Sequence, residues 1–205
     1  LGSLFAIIFY FKKDLIDLQN NYKLLILIFF GSLPIMVCGY FLYSSGLIHL
    51  LRDIKIIAWM TLIFGILLYI ADKNDFNKNI KTNLNIKTIL YIGFFQILAL
   101  IPGVSRAGIT ITAGRFLNFD RHDSAKISFY LSIPALAGAS VITLKDSINE
   151  NFEFNFLLIV SIILSFIFSY LTIKYFLIYT KKFSLKFFVV YRIILSIIIF
   201  LIIYN

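Results

Sequence analysis

One cysteine, Cys38, occurs in 205 residues, so no disulfide framework can form within one chain. Charge is scarce as well: 14% of residues are charged, against about 25% in ordinary soluble domains, which excludes a typical water-soluble globular domain. Acidic residues are the rarer sign, 10 against 19 basic ones, for a net charge of +9. That balance invites a nucleic-acid reading. The lysines, however, fall in short segments between apolar runs, where they orient a chain in a bilayer, so nucleic acid is excluded as a partner.

What is abundant is apolar surface. Hydrophobic residues make up 60% of the chain, in runs of about 16 to 24 residues laid end to end. A helix needs about 20 such residues to cross roughly 30 Å of hydrocarbon. The fold class expected is an all-α polytopic membrane protein, one integral domain over residues 1–205, with the bilayer as its first partner. A stub, Leu1–Phe11, precedes spans near Leu24–Tyr43 and Ile56–Ala71. Three more lie near Ser124–Leu144, Phe154–Leu177 and Phe187–Tyr204, which makes six transmembrane helices with the stub. The stub is too short to span and has no basic region before it, so it does not read as a signal peptide. The expectation is an amino-terminally truncated chain.

Loop charges set the orientation. Lys174, Lys181, Lys182 and Lys186 form a wholly basic connection, placed in the cytoplasm. The loop before it, with Asp146, Glu150 and Glu153 against Lys145, goes outside. Counting back and forward puts both flanks of Ile89–Phe119 inside. Its two arms, Ile89–Leu100 and Ile109–Phe119, reach only ~17 Å each at 1.5 Å per residue. Two crossings do not fit that length. A re-entrant helix–loop–helix does, with "IPGVSRAG" as a tip near the midplane.

A non-helical tip in hydrocarbon survives only where protein or a water-filled cavity covers it. Pro102 ends the first arm, Gly103 and Gly108 permit tight turning and close approach, and Ser105 is placed to cap the second arm. That helix N-terminus offers free N–H groups to an anion. Arg106 at the bilayer centre costs about 2.5–3.5 kcal/mol on insertion scales, and its guanidinium matches phosphate oxygens. Thr110 follows four residues later on the same side, and Gln96 on the first arm could add an amide. A bland alternative is a Pro/Gly turn whose arginine snorkels to the surface. The remaining polar residues read as structure. His49 sits in a loop and His122 at a boundary, Tyr191 and Arg192 snorkel, and Pro34 and Pro134 kink their helices.

The stretch "FFQILALIPGVSRAGITITAGRFLNF" resembles the second signature, P-G-x-S-R-S-G, of the bacterial undecaprenyl-diphosphate phosphatases, the bacitracin-resistance family. The resemblance extends to "ISFYLSIPALAGA", to "LGSLFAIIFYF" and to "VYRII". It implies two re-entrant hairpins among six spans in inverted repeats, of which the first hairpin is absent here. It implies hydrolysis of undecaprenyl diphosphate to the monophosphate in the bacterial inner membrane, recycling the carrier lipid of peptidoglycan synthesis and conferring bacitracin resistance. The polyprenyl diphosphate lipid is then the partner, with a homodimer left open. Arg106 and Ser105 are implied as catalytic residues; Gly103, Gly108, Thr110 and Gln96 are assigned to the diphosphate.

Two departures stand out. The family's first signature, E-G-x-T-E-F-L-P-x-S-S-x-G-H, has no counterpart here, so carboxylates for an implied Mg²⁺ or Ca²⁺ are expected outside this chain, and the chain alone is expected to be inactive. Ala107 stands where the family has Ser, which removes one hydroxyl. A polyprenyl-phosphate flippase using the same midplane site is the alternative reading, and a membrane scaffold a third. The other lipid phosphatase signature, S-R-x5-H-x3-D, fails because Thr112 stands at its histidine position.

Overall fold

The computed structural model describes residues 1–16, 18–46, 52–74, 76–149 and 156–204; His49, Glu150 and Glu153 lie outside the described residues. Ten α-helices follow one another among those residues. They are α1 (Gly2–Tyr10), α2 (Lys12–Ile16), α3 (Leu18–Ser44), α4 (Ile54–Asp72), α5 (Ile80–Asn83), α6 (Ile86–Ile97), α7 (Arg106–Phe116), α8 (Arg121–Asn149), α9 (Phe156–Lys182) and α10 (Lys186–Tyr204). The all-α polytopic fold is as expected, with five helices (α3, α4, α8, α9 and α10) long and apolar enough to cross a membrane. At nine residues, α1 reaches only ~14 Å, so the stub does not cross by itself. It lies along α9, where Ser3 Oγ meets Ser165 Oγ at 3.1 Å and Ser169 Oγ at 3.0 Å.

Between α4 and α8 the chain runs in and back. Asn85 opens α6 with a capping box, its side chain accepting from the Lys87 and Thr88 amides while Thr88 Oγ1 accepts from Asn85 N–H. One 3₁₀ turn, Leu98–Leu100, ends the first arm before Pro102, and α7 returns. The feet of this hairpin are tied together. Asn77 and Lys78 donate their amides to Asn118 O at 3.2 and 3.1 Å, and Asp120 N–H donates to Lys78 O. Both ends therefore lie on one side of the bundle, which is the re-entrant geometry expected.

Two interfaces hold the hairpin. On the α6 side, a Cβ at Gly93 would stand 2.1 Å from Gly31 O of α3, so the two backbones are in contact. Small residues at such crossings let membrane helices gain close packing, for which lipid offers no hydrophobic substitute. On the other side, α7 and α8 run antiparallel in matching steps of four. Arg106 meets Ser132, Thr110 meets Ser128, and Gly114 meets Ser124.

At the feet, Asp72 closes α4 and gathers three other elements. Its carboxylate accepts from Arg121 Nε at 2.6 Å and from the Leu185 amide at 3.1 Å, and it lies 3.7 Å from Arg115 Nε. Arg115, 1% exposed, also donates to Phe119 O and to Asn74 O. Expected on the cytoplasmic flank, Arg115 and Arg121 stand at that end of the hairpin, but as partners of a buried carboxylate rather than as free loop charges.

Two stability predictions follow from these contacts. Asp72→Asn removes the carboxylate that Arg115 and Arg121 share, and loss of one partner of a buried pair costs about 3–5 kcal/mol. Unfolding in detergent should show a loss of that order. Gly93→Ala drives a methyl into Gly31 O and should cost about 1–3 kcal/mol, as overpacking does. Gly39→Ala, whose nearest atom would be Leu100 Cδ2 at 3.5 Å, should leave the thermal midpoint unchanged.

Candidate anion site at the hairpin tip

The tip, Ile101–Ser105, joins two helix ends, and its backbone needs acceptors and donors from elsewhere. Gly103 adopts φ +93°, and a Cβ there would lie 2.5 Å from Ile57 O, so the tip rests against the α4 backbone. Its carbonyl accepts from Arg192 Nη2 at 2.8 Å and from Thr61 Oγ1 at 3.3 Å. Thr61 stands eleven residues from Asp72 along α4, about 16 Å, or half the hydrocarbon core. The tip is therefore at midplane depth, as its arm lengths predict.

Ser105 has φ +68°, a conformation that non-glycine residues seldom adopt and that recurs at ligand sites. Its side chain caps α7 by accepting from Gly108 N–H at 3.2 Å, and its carbonyl accepts from Ile109 N–H. The amides of Arg106 and Ala107 are left without an intrahelical acceptor at the positive end of the helix dipole. Ser105 and Ala107 are exposed and Arg106 half-buried, so this edge is open. Arg106 Nη1 donates to Ser132 O at 3.3 Å. Ser132 lies in the turn before Pro134, and Leu131 O in that turn accepts from Ser32 Oγ.

Arg192 corrects the expectation that it snorkels. It is 9% exposed and points inward along α4 from Gly65, whose Cβ would lie 3.6 Å from its Nε, to Thr61 O, which accepts from Nη2. Its Nη1 lies 3.5 Å from where a Gly108 Cβ would be, and Ser105 Oγ 3.2 Å from the same point. Gly108 thus has no side chain because two others converge there. Among the described residues neither Arg106 nor Arg192 forms an ion pair. Arg192 Nη1 and Ser105 Oγ converge at Gly108, while Arg106 stands on the α8 side of the same helix end beside the two free amides, and such a set of donors favours an anion.

Other predicted residues are placed differently. Thr110 shares the α8-facing side with Arg106 as expected, but its hydroxyl is 1% exposed and taken up by Ser128 Oγ at 2.7 Å and the Arg106 carbonyl. It fastens α7 to α8. Gln96 lies on the stripe of α6 with Ile89, Ile92 and Gly93, fully buried. Neither its Nε2 nor its Oε1 has a hydrogen-bond partner among the described residues, and no hydrogen bond joins it to the tip. Gly103 acts by docking the tip.

Comparison with known proteins adds what geometry does not. The family described as bacitracin resistance protein BacA matches residues 1–198. The protein named undecaprenyl-diphosphatase in Pelagibacter ubique (strain HTCC1062) is 65% identical over 162 residues, covering 78% of this chain and 63% of the relative. Its namesake in Elusimicrobium minutum (strain Pei191) is 41% identical over 170 residues, 77% of this chain and 65% of that protein. A third, in Jannaschia sp. (strain CCS1), is 36% identical over 167 residues, 72% and 62%. The chain thus spans less than two thirds of the length of each of these relatives. With the family match running over nearly its whole length, the chain belongs to the bacitracin resistance protein BacA family.

Proposed function

We propose that this chain supplies the diphosphate-binding tip of an undecaprenyl-diphosphatase, an inner-membrane hydrolase that converts the C55 lipid diphosphate to its monophosphate. The observation that carries the reading is that two guanidiniums at the tip end of the hairpin, Arg106 and Arg192, bond to carbonyls and form no ion pair among the described residues. A net positive tip in hydrocarbon is costly until an anion neutralises it, and a lipid diphosphate brings that charge to that depth. The relatives' name supports the choice of lipid.

Hydrolysis of a phosphoanhydride concentrates charge on the oxygens of the transferring group and on the leaving phosphate. Arg106, with donors to spare beyond its bond to Ser132 O, meets the first. Ser105 Oγ and the Arg106 and Ala107 amides add fixed dipoles that need no reorganisation as charge develops. Arg192 holds the loop so that these donors keep their positions. Ala107 contributes its amide and no hydroxyl. The Mg²⁺ or Ca²⁺ that the resemblance implies does not fit these residues, since the tip offers donors. Among the described residues no group of three His, Cys, Asp or Glu could hold a metal ion.

Two measurements test the reading. Protein in detergent micelles should bind farnesyl diphosphate, a soluble stand-in for the lipid. Arg106→Ala should weaken that binding by about tenfold to a hundredfold, the value of a hydrogen bond to a charged group. Equal affinity in the variant, or release of phosphate from C55 diphosphate at the wild-type rate when Arg106→Ala is placed in the full-length protein, sinks the assignment. Arg192→Met frees Gly103 O and should accelerate amide hydrogen exchange across the tip, residues 101–108. Arg106→Ala should leave that exchange rate close to wild type.

A further inference from the structure

A second basic constellation lies at the other end of the bundle from the tip, beside the hairpin's feet. A cavity of about 350 Å³ opens between the ends of α1, α2, α8 and α9. Lys13, Lys126 and Lys181 line it, with His122 on the same wall and Asp14 the single carboxylate. Asp14 is already engaged: Tyr130 Oη donates to its Oδ2 at 2.6 Å, and Lys126 Nζ stands 3.9 Å from that oxygen. His122 Nδ1 lies 3.1 Å from Leu177 O, so Nδ1 carries the proton and Nε2 is the ring's remaining polar atom. Three ammonium groups against one occupied carboxylate leave the cavity net positive.

The remaining wall is apolar and continues out of the cavity. Tyr10, Phe11 and Leu177 complete the lining. From Tyr10 an aromatic seam follows the α1–α9 contact toward the lipid: Tyr10 to Tyr170 at 5.7 Å, Tyr170 to Phe9 at 5.9 Å, and Phe9 to Phe166 at 5.9 Å between ring centroids. Phe9 is half exposed, with Lys12 Nζ 4.5 Å from its ring centre. A cationic recess at the membrane boundary that opens onto an apolar seam fits an amphiphile, not a free ion.

We propose that this cavity binds the phosphodiester headgroup of an anionic glycerophospholipid, with Lys13, Lys126 and Lys181 around the phosphate and an acyl chain along the Tyr10–Tyr170–Phe9 seam. The leaflet is the one that carries the basic segments, cytoplasmic by the positive-inside rule, where pockets between helices with clustered lysines attract anionic headgroups. The cavity volume lies within the usual range for small-molecule sites. Nothing in this assignment depends on the tip or on the phosphatase reading.

Native mass spectrometry of the chain in detergent tests it directly, with dioleoylphosphatidylglycerol and dioleoylphosphatidylcholine as probes. Phosphatidylglycerol should be retained in preference to phosphatidylcholine. Lys13→Gln with Lys181→Gln should weaken phosphatidylglycerol by about tenfold to thirtyfold, since each lysine near an anionic surface is worth about tenfold or less. The control pair Lys81→Gln and Lys87→Gln, on exposed sites elsewhere, should retain the lipid as the wild type does. Unchanged retention in the Lys13/Lys181 pair overturns the proposal. Displacement of the lipid by millimolar inorganic phosphate assigns the cavity to free phosphate and overturns it too. A photoactivatable phosphatidylglycerol needs no variant: its acyl label should map to α1 and α9, and labelling confined to other helices overturns the assignment.

Discussion

A guanidinium buried at the end of a helix bundle is costly without a countercharge, and Asp72 supplies one to Arg115 while also pairing with Arg121 and accepting the amide of Leu185. Four elements meet through that one side chain: the end of α4, the return foot of the hairpin, the start of α8 and the connection into α10. The ion pair is weak evidence of net stability, because desolvation offsets much of the attraction. Its consequence is positional. With α4 and α10 fixed at this end, Thr61 and Arg192 reach the same depth one turn beyond Gly65, and the tip has something to rest on. Lose the registration at Asp72 and the midplane contacts go with it.

Four core arginines divide by their partners. Arg115 and Arg121 share the single carboxylate of Asp72 and hold the feet. Among the described residues, Arg106 and Arg192 have carbonyls only. A carbonyl dipole orients a guanidinium without cancelling its charge, so these two remain cations in a low-dielectric place. The same chemical group thus serves as a rivet at one end of the hairpin and as an anion receptor at the other. What separates the roles is whether a carboxylate lies within reach.

The span boundaries, the re-entrant hairpin and the depth of its tip were legible in the residues because hydrophobic length and loop charge act locally. The place of Arg106 and Ser105 at the tip was legible too, since a proline, two glycines and one cation in an apolar run have few explanations. Arg192 was not. It lies near a helix end, where long cations ordinarily reach outward to water, and only packing against Gly65, 127 residues earlier in sequence, turns it inward. Thr110 was placed on the correct side of α7, but the sequence signal that encloses it is on another helix: serines at 124, 128 and 132 matching steps of four on α7. That ladder could have been found by comparing the two helices in antiparallel register. Gln96 offered no such clue, since an amide on an apolar stripe reads alike whether it faces a ligand or a neighbour.

The ladder also constrains how the tip can move. The three α7 residues of the ladder, Arg106, Thr110 and Gly114, meet α8 at serines, so the helices approach closely there and their relative slide is stepped rather than continuous. Arg106 is the last rung. Its bond to Ser132 O is to a backbone carbonyl of α8, in the turn before Pro134. An anion arriving at the tip therefore competes for Arg106 against a single neutral acceptor and not against a carboxylate. That competition is one a phosphate wins, because hydrogen bonds to an ionised acceptor are roughly twice as strong as those to a neutral one.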